Sequence, residues 1–426
     1  MWSNWSRGQT CAPAEHVRPG TRDELAEAVA RGRAVRVAGA GHSFSGGVAT
    51  DGTLLSLKRL DRVLDVDRAS GLVRAEAGIS LRRLVRELHR HGLALPNLGD
   101  VDAQSLAGAL ATGTHGTGIT LGNLSTAVTG MELVLADGSE LAVESGDELL
   151  AARVGLGALG VVVAVTLRCV PAFRLHAVDQ PRPLEEVLSA LDTTVESNDH
   201  FELFTFPHSP LALTRTNNRT DAPATPRRPR REWLQDVALD NHAFGLVNRV
   251  ARRVPRAIPA LNRFAGRSAS RRERVAESFD VFASPRLVRF EEMEYALPRA
   301  RAADAVRACR EILARHPVSF PIELRFSGGD DALLSPAHGR ETAYVAVHVF
   351  EGMAFEAPFR EVEALLGGWG GRPHWGKRSF LGAEELAPRY PRWRDFAALR
   401  ERLDPDGRFV NPWTARTLGA AERIAA

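Results

Sequence analysis

The sequence predicts an α+β fold, and three observations carry that expectation. Two segments read as β-hairpins: "RVLDVDRASGLVRAEAG", turning at Ala69, Ser70 and Gly71, and "MELVLADGSELAV", turning at Asp137 and Gly138. The strand pattern "AVRVAG" leads through a glycine-rich loop into "DGTLLSLKRL", a second strand pattern where a dinucleotide fold would open a helix. From about Ala172 onward, strands and helices follow in an order that suggests an antiparallel sheet with helices packed on one face.

The elements are justified in chain order. Thr21 and Glu24 form a capping box that opens the helix "TRDELAEAVARG", closed by Gly32. Ser80 starts "SLRRLVRELHRHG", which sets Leu81, Leu84, Val85 and Leu88 on one face and ends at Gly92. "NLGDVDAQSLAGALATGTHGTG" is rich in small residues and reads mainly as loop, with Ser105 as a possible N-cap for "SLAGAL". "GALGVVVAVTLRCV" is a buried strand bounded by glycines, and Pro171 marks a boundary.

Beyond it lie a strand, "HFELFTFP", and an arginine-rich stretch over about 215–274 that includes the run Arg227–Arg231. Two readings are open for that stretch: a solvated insertion, or an anion or partner surface. Then come the strand "RLVRFEEMEYAL", a helix over about Arg299–His316, the strands "FPIELRFS" and "TAYVAVHVF", and the helix "FEAPFREVEALLGG".

The bulk composition is that of a globular chain: 426 residues, 44% hydrophobic, 25% charged and a net charge of +3, too slight to require nucleic acid. Three widely spaced cysteines, Cys11, Cys169 and Cys309, form neither a disulfide framework nor a metal cluster, so a cytoplasmic location is expected. The N-terminus shows no apolar signal segment, and the apolar run Val154–Leu167 is too short to span a bilayer, so no integral membrane segment is expected. Lysine is nearly absent: Lys58 and Lys377 are the only two, in a chain that otherwise uses arginine. A retained lysine suggests a need for a compact cation, although Lys58 also fits an ordinary surface position.

The loop "VRVAGAGHSFSGG" raises the question of chemistry. Val37, Ala38, Gly39, Ala40, Gly41, His42, Ser43 and Phe44 follow one another with Phe44 where a dinucleotide fold needs its third glycine. Successive small residues still expose backbone N–H groups as an anion nest, with Ser43 and Ser45 adding hydroxyls. His42 either bonds its own backbone or is a point of covalent attachment.

The ordered set "GAGHSFSGG", "GTHGTG", "GALGVVVAVTLR" and "GRPHWGK" resembles the vanillyl-alcohol oxidase type of FAD-linked oxidoreductase, in its aldonolactone and alditol oxidase branch. The resemblance covers nearly the full length and implies a two-subdomain PCMH-type FAD-binding domain over residues 1–172. It further implies an α+β cap domain over 173–372 and a C-terminal segment, 373–426, that returns to the first domain. It implies FAD held covalently by His42, with Gly113, Thr114, His115, Gly116, Val162, Ser105 and His374 also at the cofactor. The implied activity is oxidation of an alcohol in a sugar-derived substrate, by hydride transfer to the flavin with oxygen or another acceptor following. An aldono-1,4-lactone of D-arabinono or L-gulono type is the expected substrate. An alditol, or a natural product on the same scaffold, is the alternative.

Strand alternation bears on the site. In "PIELRF", Ile322, Leu324 and Phe326 face one way and Glu323 and Arg325 the other; in "AYVAVHVF", Val345, Val347 and Val349 oppose Tyr344, Ala346, His348 and Phe350. Glu323 and Arg325 alone would fit a surface ion pair. The resemblance implies instead that they sit over the flavin and bind substrate hydroxyls, with Lys377 and His374 at the flavin's pyrimidine edge and Ser105 touching flavin and substrate. Lys377, His348 and Glu323 are the candidate bases. One departure matters: where alditol oxidases carry a threonine two residues after the cap histidine, this chain has Phe350, which favours a ring-shaped substrate.

Overall fold

The structure is a computed structural model that describes residues 1–228, 230 and 233–419. Besides two two-stranded ribbons, the described residues of its first part form a three-stranded and a five-stranded sheet. Strands β1 (Glu15–Val17), β2 (Arg36–Val37) and β3 (Thr53–Leu55) pair in parallel in the order β1-β3-β2, with helix α1 (Arg22–Arg31) between the first two. Thr21 caps α1 by accepting the Glu24 N–H, as the capping box predicts. The glycine loop thus joins strand to strand.

The second sheet is antiparallel. Strands β4 (Val63–Asp67), β5 (Leu72–Glu76), β6 (Val128–Val134), β7 (Glu140–Val143) and β8 (Val161–Arg168) lie in the order β7-β6-β8-β5-β4. Both expected hairpins are present, β4 with β5 and β6 with β7. Helix α2 (Leu81–Arg90), capped by Ser80, buries Leu81, Leu84, Val85 and Leu88, the face its spacing predicts. Helix α3 (Leu106–Ala111) follows with Ser105 as its N-cap.

One larger antiparallel sheet dominates the rest. It is built from β9 (Arg174–Pro183), β10 (His200–Thr205), β11 (Leu211–Thr220), β12 (Arg272–Glu277), β13 (Phe290–Pro298), β14 (Ile322–Ser327), β15 (Thr342–Phe350) and β16 (Arg372–Pro373), in the order β12-β9-β11-β10-β14-β15-β13-β16. One face carries Ile322, Leu324, Phe326, Val345, Val347 and Val349 into a core shared with the helices after β13 and β15. The opposite face carries Glu292, Glu294, Glu323, Arg325 and His348, all buried, toward the first part of the chain.

The arginine-rich stretch is solvated in part and packed in part: residues 221–228 are exposed, its ends are the strands β11 and β12, and between them α4 (Phe244–Arg253) and α5 (Ile258–Ser268) are packed on the fold through Gly245, Asn248, Ala251, Ile258, Asn262 and Gly266. Small and polar residues make that contact, which is why hydrophobic periodicity did not announce it. The run Arg227–Arg231 lies partly outside the described residues.

After β13 the expected helix is α6 (Ala302–Ala314), and after β15 it is α7 (Glu356–Gly368). Helices α8 (Trp393–Leu403) and α9 (Pro412–Leu418) close the chain, and α9 sets Trp413 against Gly46 and Gly47 of the glycine loop.

Candidate active site

Two cavities meet inside the molecule. The first is lined by the glycine loop (Val37 to Ser43, Ser45 and Gly47), by Ser105, Ala107 and Gly108 at the start of α3, by Gly155 to Gly160 in part, and by Val161, Val162 and Trp413. No carboxylate lines it, while Arg36 and Lys58 do. Gly39 is needed for its shape: a Cβ there would come within 2.2 Å of Ser105 Oγ. Gly41 holds a φ of +73° that a side chain would strain.

Arg36 is buried and donates to the carbonyls of Gly47 (2.6 Å), Gly157 (2.8 Å), Phe409 (2.7 Å) and Leu156 (2.9 Å), stapling the loop to the C-terminal segment. Burial lowers its pKa to about 10. A glycine-walled space with cations and hydroxyls, and no acid among the described residues that line it, suits a dinucleotide carrying a pyrophosphate. FAD therefore fits this cradle on its own chemistry.

The second cavity lies under the charged face of the large sheet. Register explains its wall: Glu292 stands beside His348 across β13 and β15, and Ala346 is flanked by Glu294 on one side and Glu323 on the other. The small alanine keeps the two carboxylates from being covered between the strands. The turn carrying His374 and Lys377 is stitched to the same strand, because His374 N–H donates to Glu294 O (2.9 Å) and Arg378 N–H to Glu292 O (2.9 Å). Phe44 N–H donates to Gly376 O (2.7 Å), which fastens that turn to the glycine loop.

Charges in this wall are paired. Lys377 Nζ lies 2.5 Å from Glu292 Oε2, His348 Nε2 lies 3.4 Å from Glu292 Oε1, and Arg325 Nε donates to Glu202 Oε2 at 2.8 Å. Arg325 also forms an ion pair with Glu323, yet Glu323 Oε1 receives no hydrogen bond and stays buried. Arg286 pairs with Asp100, and His115 Nε2 lies 3.0 Å from Glu294 Oε1. Burial raises the Glu323 carboxyl to about 7, helped by the nearby Asp100 and Glu202 and only partly opposed by Arg325. Burial, the largest influence, would discharge Lys377 and His348, but the surrounding acids together outweigh it, Glu292 foremost, with Glu294 and Asp100 at Lys377 and Glu323 at His348, and both stay above their ordinary values. Burial alone would also raise Glu292; Lys377 and His348 hold it below instead. His374, buried, falls to about 4 and is neutral.

Donor atoms of His115, Glu294 and His374 come within 4.8 Å of one another, close enough to bind a metal. They already serve each other and the backbone: His115 Nδ1 bonds Gly116 O at 2.8 Å, and His374 Nδ1 accepts Gly376 N–H at 3.0 Å. The trio reads as a polar wall.

His42, Ser43, Gln104 and Thr112 line both cavities and so form their junction. Trp5 stacks on the His42 ring at 5.6 Å, and its N–H donates to Gly41 O at 2.7 Å. Burial lowers the His42 pKa, and the Lys377 charge lowers it further.

The sequence-predicted residues separate accordingly. Val37, Ala38, Gly39, Ala40, Gly41, Ser105 and Val162 line the first cavity; Phe44, Thr114, His115, Glu323, Arg325, His348, His374 and Lys377 line the second. Gly113 and Gly116 line neither; a Cβ at Gly116 would strike Asn97 at 2.3 Å, so its role is close packing. Phe350 is also outside both. It stacks behind Phe320 at 6.2 Å, while Phe320, Phe290, Phe204, Phe244, Phe44 and Trp5 line the cavity.

Sequence reasoning missed Glu292, Glu294, Asp100, Arg286 and Glu202. The first two carried a signal, since "EEMEY" places two acids at alternate positions of an apolar strand. The others come from loops or neighbouring strands with no local mark.

Residues 13–144 match the family described as FAD binding domain, and residues 165–417 match the family described as D-arabinono-1,4-lactone oxidase. The chain is 47% identical to an L-gulono-1,4-lactone dehydrogenase of Mycobacterium tuberculosis, covering 98% of this chain and 99% of that one. It is 37% identical to an alditol oxidase of a Streptomyces species, over 96% and 97% of the two chains. Its fold matches that of cholesterol oxidase from Brevibacterium sterolicum, with a TM-score of 0.81 at 18% identity over 98% and 96% of the two chains.

Proposed function

The chain belongs to the D-arabinono-1,4-lactone oxidase family, and from that premise we propose that it is an FAD-dependent enzyme oxidising a ring hydroxyl of an aldono-1,4-lactone. The observation that carries this reading is the junction at His42, Ser43, Gln104 and Thr112, where a glycine-walled cavity meets a charged, aromatic-walled one. The residues that would hold FAD are the glycine loop, Ser105 to Gly108 and the 155–162 segment. Bound there, FAD supplies a hydride acceptor for the substrate's carbinol C–H bond.

The chain's own groups supply the rest. Glu323, its carboxyl raised to about 7 by burial and paired with Arg325, takes the hydroxyl proton. Arg325, fixed by Glu202, orients the hydroxyls. Lys377 and His348, kept charged by Glu292, stabilise negative charge that develops near them and are poor bases. Phe290 and Phe320 offer flat faces to a ring. Because each cation in the wall faces a carboxylate, an uncharged lactone is preferred to its hydrolysed acid.

We assign covalent attachment of the flavin to His42. Support comes from its place at the junction and its lowered pKa, since a neutral imidazole is the nucleophilic form. A cytoplasmic setting is supported by three free cysteines, two of them buried.

The test has two arms. Acid-denatured, digested protein is weighed, and the peptide containing His42 is expected to carry the flavin mass; an unmodified peptide removes the covalent assignment. Lactones, alditols and aldonates are then compared with oxygen and with a dye as acceptor, since the 47% identical relative is named a dehydrogenase. Turnover of alditols ahead of every lactone would overturn the substrate reading.

A further inference from the structure

Helices α4 and α5 are inside out. Apart from Ile258 at the start of α5, their buried faces are small or polar: Gly245, Asn248 and Ala251 on α4, with Asn262 and Gly266 on α5. Asn248 accepts from Ser319 Oγ (2.6 Å) and Asn262 donates to Val318 O (3.1 Å), so hydrogen bonds anchor this contact. Large apolar residues point outward instead. Leu246 (58% exposed) and Val250 (42%) lie one turn apart on α4, Val254 (51%) follows directly after its end, and Phe264 (66%) stands out from α5. Trp233, Leu234 and Leu239 on the preceding helical turns, and Leu287 on a loop tied to Asn241, are exposed as well. Eight of the ten exposed large hydrophobic side chains among the described residues fall between Trp233 and Leu287. Concentration of this kind marks a docking surface.

Its charge selects the partner. The 27 residues from Phe244 to Ser270 contain six arginines and no acid, and all six, Arg249, Arg252, Arg253, Arg256, Arg263 and Arg267, are exposed. A second copy meeting this face across a two-fold axis would bring like charges together. An anionic bilayer surface accepts the apolar stripe among its acyl chains and the guanidinium groups among its phosphates. No helix among the described residues is long and apolar enough to cross a membrane, so the contact is peripheral. We propose that the outward face of α4 and α5 is a docking surface for an anionic phospholipid bilayer. Phe244, the first residue of α4, also lines the second cavity, so docking and substrate cavity share one helix.

Flotation of the full-length flavin-loaded protein with phosphatidylcholine vesicles, with and without phosphatidylglycerol, tests this. Binding to the phosphatidylglycerol vesicles, weakened by salt, is expected. The charge variant Arg249→Gln/Arg253→Gln should lower partitioning by roughly thirtyfold. The apolar variant Leu246→Ser/Val250→Ser/Phe264→Ser should abolish it. Both should keep their flavin and their turnover of soluble substrate. Absence of flotation at low salt, or equal flotation of wild type and both variants, overturns the proposal. So does a dimer in light scattering that the apolar variant converts to monomer in a protein that ignores vesicles; the face would then be a self-association surface.

Discussion

Lys377 Nζ lies 2.5 Å from Glu292 Oε2, in a wall where the same carboxylate also faces His348 Nε2 at 3.4 Å. Glu292 is thus the foremost of the acids that keep both cations charged against the pull of burial, with Glu294 beside Lys377 and Glu323 beside His348 adding to it.

Glu292→Gln should lower the pKa of both partners. His348 then titrates at a lower pH, which ring-proton NMR measures directly. In the wild-type chain the His348 contribution to stability is fully present below its unfolded value of 6.5 and is lost as pH rises through the raised folded value. The variant should lose that slope. It should also be less stable in urea titration, because half-buried Lys377 is left with a weaker counter-charge. An unchanged His348 titration would show that Glu292 is not its controlling partner.

Glu323 sets the expected pH profile of turnover. Its base form appears as pH rises through about 7, so kcat/KM should climb up to that pH and level off above it. Glu323→Gln should remove this limb and cut kcat by roughly 10²–10⁴. Stability should move the other way. A carboxyl with a folded pKa above its unfolded 4.5 contributes stability at low pH that is lost as pH rises from about 4.5 to 7. The glutamine variant escapes that loss and should melt no lower than wild type at pH 8. A variant that retains the acidic limb would move the base elsewhere.

Phe320 and Phe350 separate a substrate contact from a supporting one. Phe320→Ala should raise KM by about tenfold, the scale of one ring contact. Phe350→Ala should cost about 3–5 kcal/mol of stability as a buried ring is lost, with a smaller change in KM. The reverse pattern in steady-state kinetics would restore Phe350 as the residue that meets the substrate.

Much of this was legible locally. The capping box at Thr21, the hairpin turns at Gly71 and Gly138, and the alternation that turns Glu323 and Arg325 away from Ile322 and Leu324 are all short-range consequences of backbone geometry. So is the failure of the dinucleotide pattern at Phe44, since a glycine loop followed by a strand pattern cannot open a helix. These features depend on neighbours within a few residues, and the order of residues contains that information.

Tertiary structure decided what depends on distant neighbours. Asp100, Glu202, Glu292 and Arg286 converge on Arg325, Glu323 and Lys377 from four separate segments, and no spacing along the chain reports that approach. Whether Glu323 holds its proton near neutrality follows from how deeply it is buried and which charges surround it. The exchange of roles between Phe350 and Phe320 has the same origin, because a strand pattern gives the face of a residue but not what lies in front of it. The packing of α4 and α5 was hidden because it uses hydrogen-bonded asparagines and glycines, while the apolar stripe that periodicity detects points to the outside.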